Sequence, residues 1–167
     1  SMLRVPVEKF RVITPVMPAL QPADETDTVR VERNLFLYAS TPDCHKNFET
    51  LCEAARLLEQ ETGEGHFRVM LTVSGQENRY AHWLHKRWGS VSSIDFHGLM
   101  DRDELFRVYR MAGTLVFPSR VETWGLPMSE YQALHPDGYI IAADLPYAHE
   151  TAPQARFFPV MNAHALK

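Results

Sequence analysis

Two cysteines in 167 residues, Cys44 and Cys52, are too few and too oddly spaced for a disulfide framework, a zinc cluster or a Cys-x-x-Cys redox pair. That scarcity makes the cytoplasm the expected location. No apolar run approaches the ~20 residues that a bilayer-spanning helix needs, and the first residues lack a secretory-signal pattern. Charge is not concentrated in one sign: 17 Lys and Arg face 21 Asp and Glu, giving a formal net charge of −4 with no basic tract. Nucleic acids and anionic membranes are bound through clustered cations, so neither is an expected partner. Gly-x-Gly-x-x-Gly and Walker motifs are both missing, which argues against a dinucleotide enzyme or a P-loop NTPase.

The composition itself, 45% hydrophobic and 23% charged, is ordinary for a globular domain long enough to bury a core. Residues 1–28 read as an N-terminal segment and linker, with a possible short strand from Phe10 before Pro15 and a polar, acidic stretch over 21–28. Residues 29–167 read as one domain. Asn34 to Ala39 is a nearly continuous apolar run, the pattern of a strand covered on both faces. Ser40 to Asn47 is a loop, and Phe48, Leu51, Cys52, Ala55 and Leu58 then give a helix one apolar face. Further strands are expected at Phe67–Val73, Ser92–His97, Thr114–Phe117, Tyr139–Ala143 and Ala155–Pro159, with helices between most of them. Asp101 and Glu104 form a capping-box pattern at one helix start. The connection from Leu134 to Gly138 reads as a surface insertion.

Strands and helices alternating in this way predict an α/β domain with a Rossmann-like, doubly wound parallel sheet. Such sheets bind ligands at the carboxyl ends of their strands. Ser40, Lys46, the Ser74-Gly75 turn, Gly98 and Glu122 all fall there.

The most informative stretch runs from Phe117 to Leu134. It passes from a buried strand through a polar turn holding Gly125 into a helix, with Pro127 expected at the first helical position. Unpaired amides and the positive dipole end then make an anion site, with Trp124, Gly125 and Leu126 as its backbone donors. Two carboxylates, Glu122 and Glu130, frame the same site, which a phosphate alone would not explain. Ionised carboxylates are pure acceptors, so they suit a ligand that carries hydroxyl pairs as well as a diphosphate, as a nucleotide-sugar does. Lys46 stands at a loop-to-helix junction, where its charge opposes the helix dipole, so a role toward an anion accounts for it better than helix stability does. His82 and His85 lie one turn apart without a third ligand nearby, and a metal is not expected there.

Glu122-x7-Glu130, preceded by Phe117-Pro118-Ser119, resembles the E-x7-E signature of the retaining GT-B glycosyltransferases of the glycogen synthase-like group, glycosyl transferases group 1. The flanking order Phe96-His97-Gly98, Glu104-Leu105 and Tyr109, and later Asp144 with Glu150, is similar too. The resemblance runs from about Asn34 to the end of the chain and implies one half of a GT-B fold, the nucleotide-sugar half. It implies transfer of a hexose-type sugar from a nucleoside diphosphate to a hydroxyl, with no cofactor and no metal. The absence of an Asp-x-Asp motif is compatible with this. By resemblance, Lys46 and the amides from Thr123 to Leu126 meet the diphosphate, Glu122 the donor sugar and Glu130 the ribose diol. Ser40 and Gly75 lie close to the donor, and the backbone from Gly98 through Leu99 meets the base.

An acceptor domain on the N-terminal side is the implied partner, any peripheral membrane contact would come from parts beyond these residues, and further helices are implied past Asn162. Where many relatives have Gly-Arg after the first strand, this chain has Ala39-Ser40. Ser40 or Thr41, or a second cation such as Arg120, is expected to stand in. An apolar patch at Phe157-Phe158 is also expected. Two other readings stay open: half of a nucleotide-sugar epimerase, and a non-catalytic nucleotide-binding module.

Overall fold

A computed structural model describes residues 29–167; the possible strand near Phe10 and the stretch over 21–28 lie outside them. In chain order the elements are β1 (Glu32–Tyr38), a 3-10 turn (Cys44–Lys46), α1 (Phe48–Thr62), β2 (Arg68–Leu71), α2 (Arg79–Trp88), β3 (Ile94–Phe96) and α3 (Arg102–Met111). They continue as β4 (Ala112–Phe117), α4 (Leu126–Leu134), β5 (Tyr139–Ala143), α5 (Pro146–Thr151), β6 (Arg156–Phe158) and α6 (Ala163–Leu166). The strands form one six-stranded parallel sheet in the order β3-β2-β1-β4-β5-β6. The expected Rossmann-like, doubly wound α/β fold is therefore present. From β1 the chain steps one way to β3, crosses back to β4 and steps the other way. This switch between β1 and β4 leaves a crevice at their carboxyl ends.

The apolar strands make the core. All six residues of β4 are buried, and Leu37, Tyr38, Leu71 and Leu115 have no exposed surface. Burying a side chain of that size contributes about 1.5–3 kcal/mol before entropy is counted. Phe48, Leu51, Cys52 and Ala55 turn the predicted face of α1 inward. α1 packs beside α2 and α6, while α3 packs beside α4, as helices on a doubly wound sheet do.

Local departures from the expectations have identifiable causes. β1 starts at Glu32, ahead of the apolar run, where Glu32 pairs with Ala112 across a register shift; Arg68 of β2 reaches the Glu32 carboxylate at 3.3 Å. Asp101 caps α3 by accepting from the Glu104 amide at 2.8 Å. The Glu104 carboxylate does not close the box; it faces His97 Nε2 at 3.4 Å. α4 opens at Leu126, so Pro127 takes the second helical position rather than the first.

The stretch after Leu134 is also less free than a surface insertion. His135 Nδ1 lies 3.1 Å from the Ala112 carbonyl, and a Cβ on Gly138 would come within 2.3 Å of the Tyr131 hydroxyl. Phe158 is buried and His149 stacks on Phe157 with centroids 3.9 Å apart, so the expected apolar patch is covered. No helix among the described residues is long and apolar enough to cross a membrane.

Candidate functional site

The loops leaving β1 and β4 meet at the switch point, and hydrogen bonds to the backbone bind them together. Tyr38, at the end of β1, donates to the Lys46 carbonyl at 2.7 Å. Asn47, held in the left-handed region with φ 57°, donates its side-chain amide to the Pro118 carbonyl at 2.9 Å. The Arg120 amide returns a bond to the His45 carbonyl at 2.8 Å, and Tyr147 of α5 donates to the Ser119 carbonyl at 2.6 Å.

The result of this lacing is one close contact. Lys46 Nζ lies 2.6 Å from Glu122 Oε1, with only 16% and 13% of the two side chains exposed. At that distance it is a charge-assisted hydrogen bond. Arg120, named as a possible substitute cation, is engaged within the loop. It donates Nη2 to the Cys44 carbonyl at 2.6 Å and lines a hollow with Glu49, Trp83 and Met161.

The turn into α4 is equally fixed. Gly125 sits at φ 88°, a left-handed backbone conformation that favours glycine, and a Cβ there would lie 2.6 Å from the flexible end of the Met128 side chain. The Trp124 indole donates to Ser129 at 3.0 Å, and its carbonyl accepts from the Thr151 hydroxyl. Leu126, as the first helical residue, has an amide with no intrahelical acceptor. Thr123, between Glu122 and this turn, is exposed.

A cleft of about 410 Å³ opens beside this turn. Ser40, Thr72, Glu77, Leu99, Met100, Tyr109, Pro127 and Glu130 are among the residues that line it. A larger hollow of about 480 Å³ lies along α3 alone, lined by its own charged side chains, and takes in no strand end. The cleft is mostly apolar, and Glu130 is its buried acid, with 10% of the side chain exposed. Burial raises the Glu130 pKa, while the charge of Arg102 and the hydroxyl of Tyr109 pull it back down. Arg102 Nη2 stands 3.9 Å from Glu130 Oε1.

Across the cleft, Ser40 is tied to Thr72, whose hydroxyl accepts from the Ser40 amide at 2.9 Å and donates to its carbonyl at 3.0 Å. Thr41 donates to Asp43 at 2.8 Å. Gly98, with φ 99°, turns the chain so that Leu99 is 86% exposed at the rim. Gly75, with φ 94°, fits against His85, where a Cβ would come within 2.5 Å.

The structure thus groups the expected residues into two clusters. Lys46, Glu122 and the turn of Thr123 to Leu126 form one, and Ser40, Leu99 and Glu130 form the other. Gly75 and Gly98 shape the turns behind the second. Lys46 and Glu122 are not in the lining of the cleft. Sequence reasoning missed three members. Thr72 was legible only as a polar residue closing an apolar strand. Glu77 accepts from the amides of Ser74 at 2.6 Å and Gly75 at 3.0 Å, and its signal was an acid placed two and three residues after those donors. Arg102 carried no signal. His85 packs edge-on to Phe96 with centroids 5.0 Å apart, and no three His, Cys, Asp or Glu among the described residues gather as metal ligands.

Comparison with known proteins adds family and fold. The family model described as Glycosyl transferases group 1 matches residues 23–146. No curated protein matches the chain in sequence. Among solved structures, a UDP-forming α,α-trehalose-phosphate synthase from Burkholderia vietnamiensis superposes with TM-score 0.64 at 15% identity, over 80% of this chain and 36% of that one. A sucrose-phosphate synthase from Thermosynechococcus elongatus gives 0.65 at 23% identity, over 81% and 34%. A pneumococcal O-GlcNAc transferase, solved in complex with UDP and GlcNAc, gives 0.62 at 18%, over 78% and 25%. At these identities the likeness is one of fold, and the chain spans between a quarter and about a third of the length of these structures.

Proposed function

The chain belongs to the glycosyl transferases group 1 family, and from that premise we propose that it is the donor-binding domain of a retaining glycosyltransferase. The reaction is transfer of a hexose-type sugar from a nucleoside diphosphate to a hydroxyl acceptor. One observation carries this reading: a lysine–carboxylate pair and a helix N-terminus adjoin an apolar cleft with a buried acid, all at the switch point of a parallel sheet. A base and ribose fit the apolar cleft, and a diphosphate fits the cation and amides beside it.

In this reading Glu130 accepts from the ribose diol, and Lys46 with the amides from Thr123 to Leu126 takes the diphosphate. Ser40 and Gly75 border the donor, while the backbone at Gly98 and Leu99 meets the base. Glu122 faces the donor sugar once a phosphate has taken Lys46 from it. Charge that develops on the departing nucleoside diphosphate is met by a fixed ammonium and fixed amides, which need no reorganisation during reaction. No metal is required for that stabilisation. Acceptor groups come from a second αβ domain beyond these residues, and the enzyme works in the cytoplasm. The family description supports transfer over epimerisation.

The experiment is a calorimetric panel of UDP, GDP and ADP and their sugars, each with and without chelator. UDP comes first, because a UDP-forming enzyme and a UDP complex are among the similar folds. Binding of at least one nucleotide in chelator supports the reading. Binding only with magnesium or manganese overturns the metal-free part, and no binding overturns the whole.

A further inference from the structure

We propose that Tyr109 and Arg102 are positioning residues that keep the Glu130 carboxylate charged where it faces the cleft, so that both of its oxygens accept from a vicinal diol. The inference rests on the donor-site reading above and adds to it two residues outside the E-x7-E motif.

The geometry comes from α3. Arg102 and Tyr109 are seven residues apart, two helical turns, and so share one face, the side of α3 that packs beside α4. Phe106 stands between them: the Arg102 guanidinium lies over its ring at 4.6 Å, and the ring stacks on Tyr109 with centroids 6.2 Å apart. Tyr131 closes the other side of Tyr109, edge-on at 6.0 Å, with its own hydroxyl fixed on the Ala112 carbonyl at 2.8 Å. The Tyr109 ring is therefore clamped and fully buried.

Its hydroxyl, in contrast, has no hydrogen-bond partner. A buried hydroxyl left unpaired is costly, and the acid beside this one is Glu130. Tyr109 and Glu130 line the same cleft, and the hydroxyl falls short of hydrogen-bonding geometry, the condition expected of a site that tightens when its ligand arrives. Arg102 approaches the same acid from the solvent side at 3.9 Å, and its side chain is 61% exposed. Other groups facing the cleft are the neutral Ser40, Thr41 and Thr72 from the β1 and β2 ends, and Glu77, which is held by the Ser74 and Gly75 amides.

A carboxylate must be ionised to accept from two hydroxyls at once. Burial works against that state in Glu130, and Tyr109 and Arg102 work for it. Losing either one raises the Glu130 pKa further, so diol binding would fail at a higher pH than in the wild type.

The test is calorimetry between about pH 5 and pH 8, using whichever of UDP, GDP and ADP the wild type binds most tightly. The variants are Tyr109→Phe, Arg102→Gln, Glu130→Gln and Tyr131→Phe. Tyr109→Phe and Arg102→Gln should each weaken binding by roughly 10-fold at the acid end and regain most of it at the alkaline end. On a Glu130→Gln background neither should add a further loss. Tyr131→Phe, which removes a buried hydroxyl from the same cluster, should lower the Tm and leave the pH profile in place. A loss in Tyr109→Phe that is equal at every pH, or no loss, overturns the inference while Glu130 keeps its role if Glu130→Gln still weakens binding. Unchanged affinity in Glu130→Gln, or a wild type that binds none of the three, overturns the donor-site reading and the inference together.

Discussion

The two carboxylates of the site are treated in opposite ways. Glu122 lies among polar loops and already has its counter-ion, with Lys46 Nζ at 2.6 Å. Glu130 lies in an apolar cleft with one guanidinium at 3.9 Å and a tyrosine hydroxyl that does not quite reach it. The first charge is satisfied inside the protein, so a ligand must offer Lys46 something better, such as a phosphate oxygen. The second is held at a cost, and a ligand with two hydroxyls relieves it. A donor bringing both groups would loosen one end and satisfy the other.

The largest effect expected concerns what both ends lack. If they serve the donor alone, the 167 residues should bind a sugar nucleotide and transfer nothing measurable, because positioning of the acceptor, a term of ~7–11 kcal/mol, is absent. The chain and a version extended by its native neighbouring sequence would be assayed side by side. Turnover by the shorter protein near the rate of the longer would show that the two ends already make a complete enzyme.

Lys46→Ala should come next, since it removes the cation proposed for the diphosphate and leaves Glu122 without a partner. Breaking a buried pair from one side costs about 3 kcal/mol, and loss of the charged contact should weaken nucleoside diphosphate binding by ~10-fold or more. Adding Glu122→Gln should recover stability in a denaturant melt without recovering affinity. Recovery of both would mean that Lys46 serves only to neutralise Glu122.

A smaller contrast separates the acids directly. Glu130→Gln should weaken nucleoside diphosphate binding by ~10-fold, while Glu122→Gln should matter chiefly for the sugar nucleotide. Calorimetry with the nucleotide and its sugar on both variants checks this, and equal losses on the bare nucleotide would erase the distinction.

The smallest effect expected is thermal. Burial raises the Glu130 pKa in the folded state, so the folded protein holds this proton more tightly than the unfolded chain does. Its stabilising contribution is present below the unfolded carboxylate value and is lost as pH rises through the folded one. At neutral pH the ionised acid therefore costs stability, and Glu130→Gln should raise the Tm by about 2–4 °C for each kcal/mol relieved. The gain should fade in acid, and a Tm that falls at pH 7 would contradict the assigned burial cost.

Much of this was readable from residue order, but unevenly. Alternating apolar runs and amphipathic helices placed Ser40, Lys46, Gly98 and Glu122 at strand ends, and Gly125 marked the turn into α4. Pro127 was set one position early because its preference for the first helical residue is a local rule, and the left-handed Gly125 instead lets Leu126 open the helix. Arg120 read as a spare cation because its acceptor, the Cys44 carbonyl, lies 76 residues away in sequence. Arg102 could not be singled out, since an arginine at a helix start carries no mark of what stands across from it.

The residues in order determined that βα units follow one another, and with them which loops face the ligand side, because periodicity and capping act between neighbours a few positions apart. Tertiary structure decided which loops touch. The order β3-β2-β1-β4 makes the first and fourth strands neighbours, and only that adjacency joins Lys46 to a glutamate 76 residues on. It also lays α3 against α4, which buries Glu130 beneath Tyr109 and Arg102. Burial and charge pairing are properties of surroundings in space, and the strand order that sets those surroundings emerges only when the whole sheet is assembled.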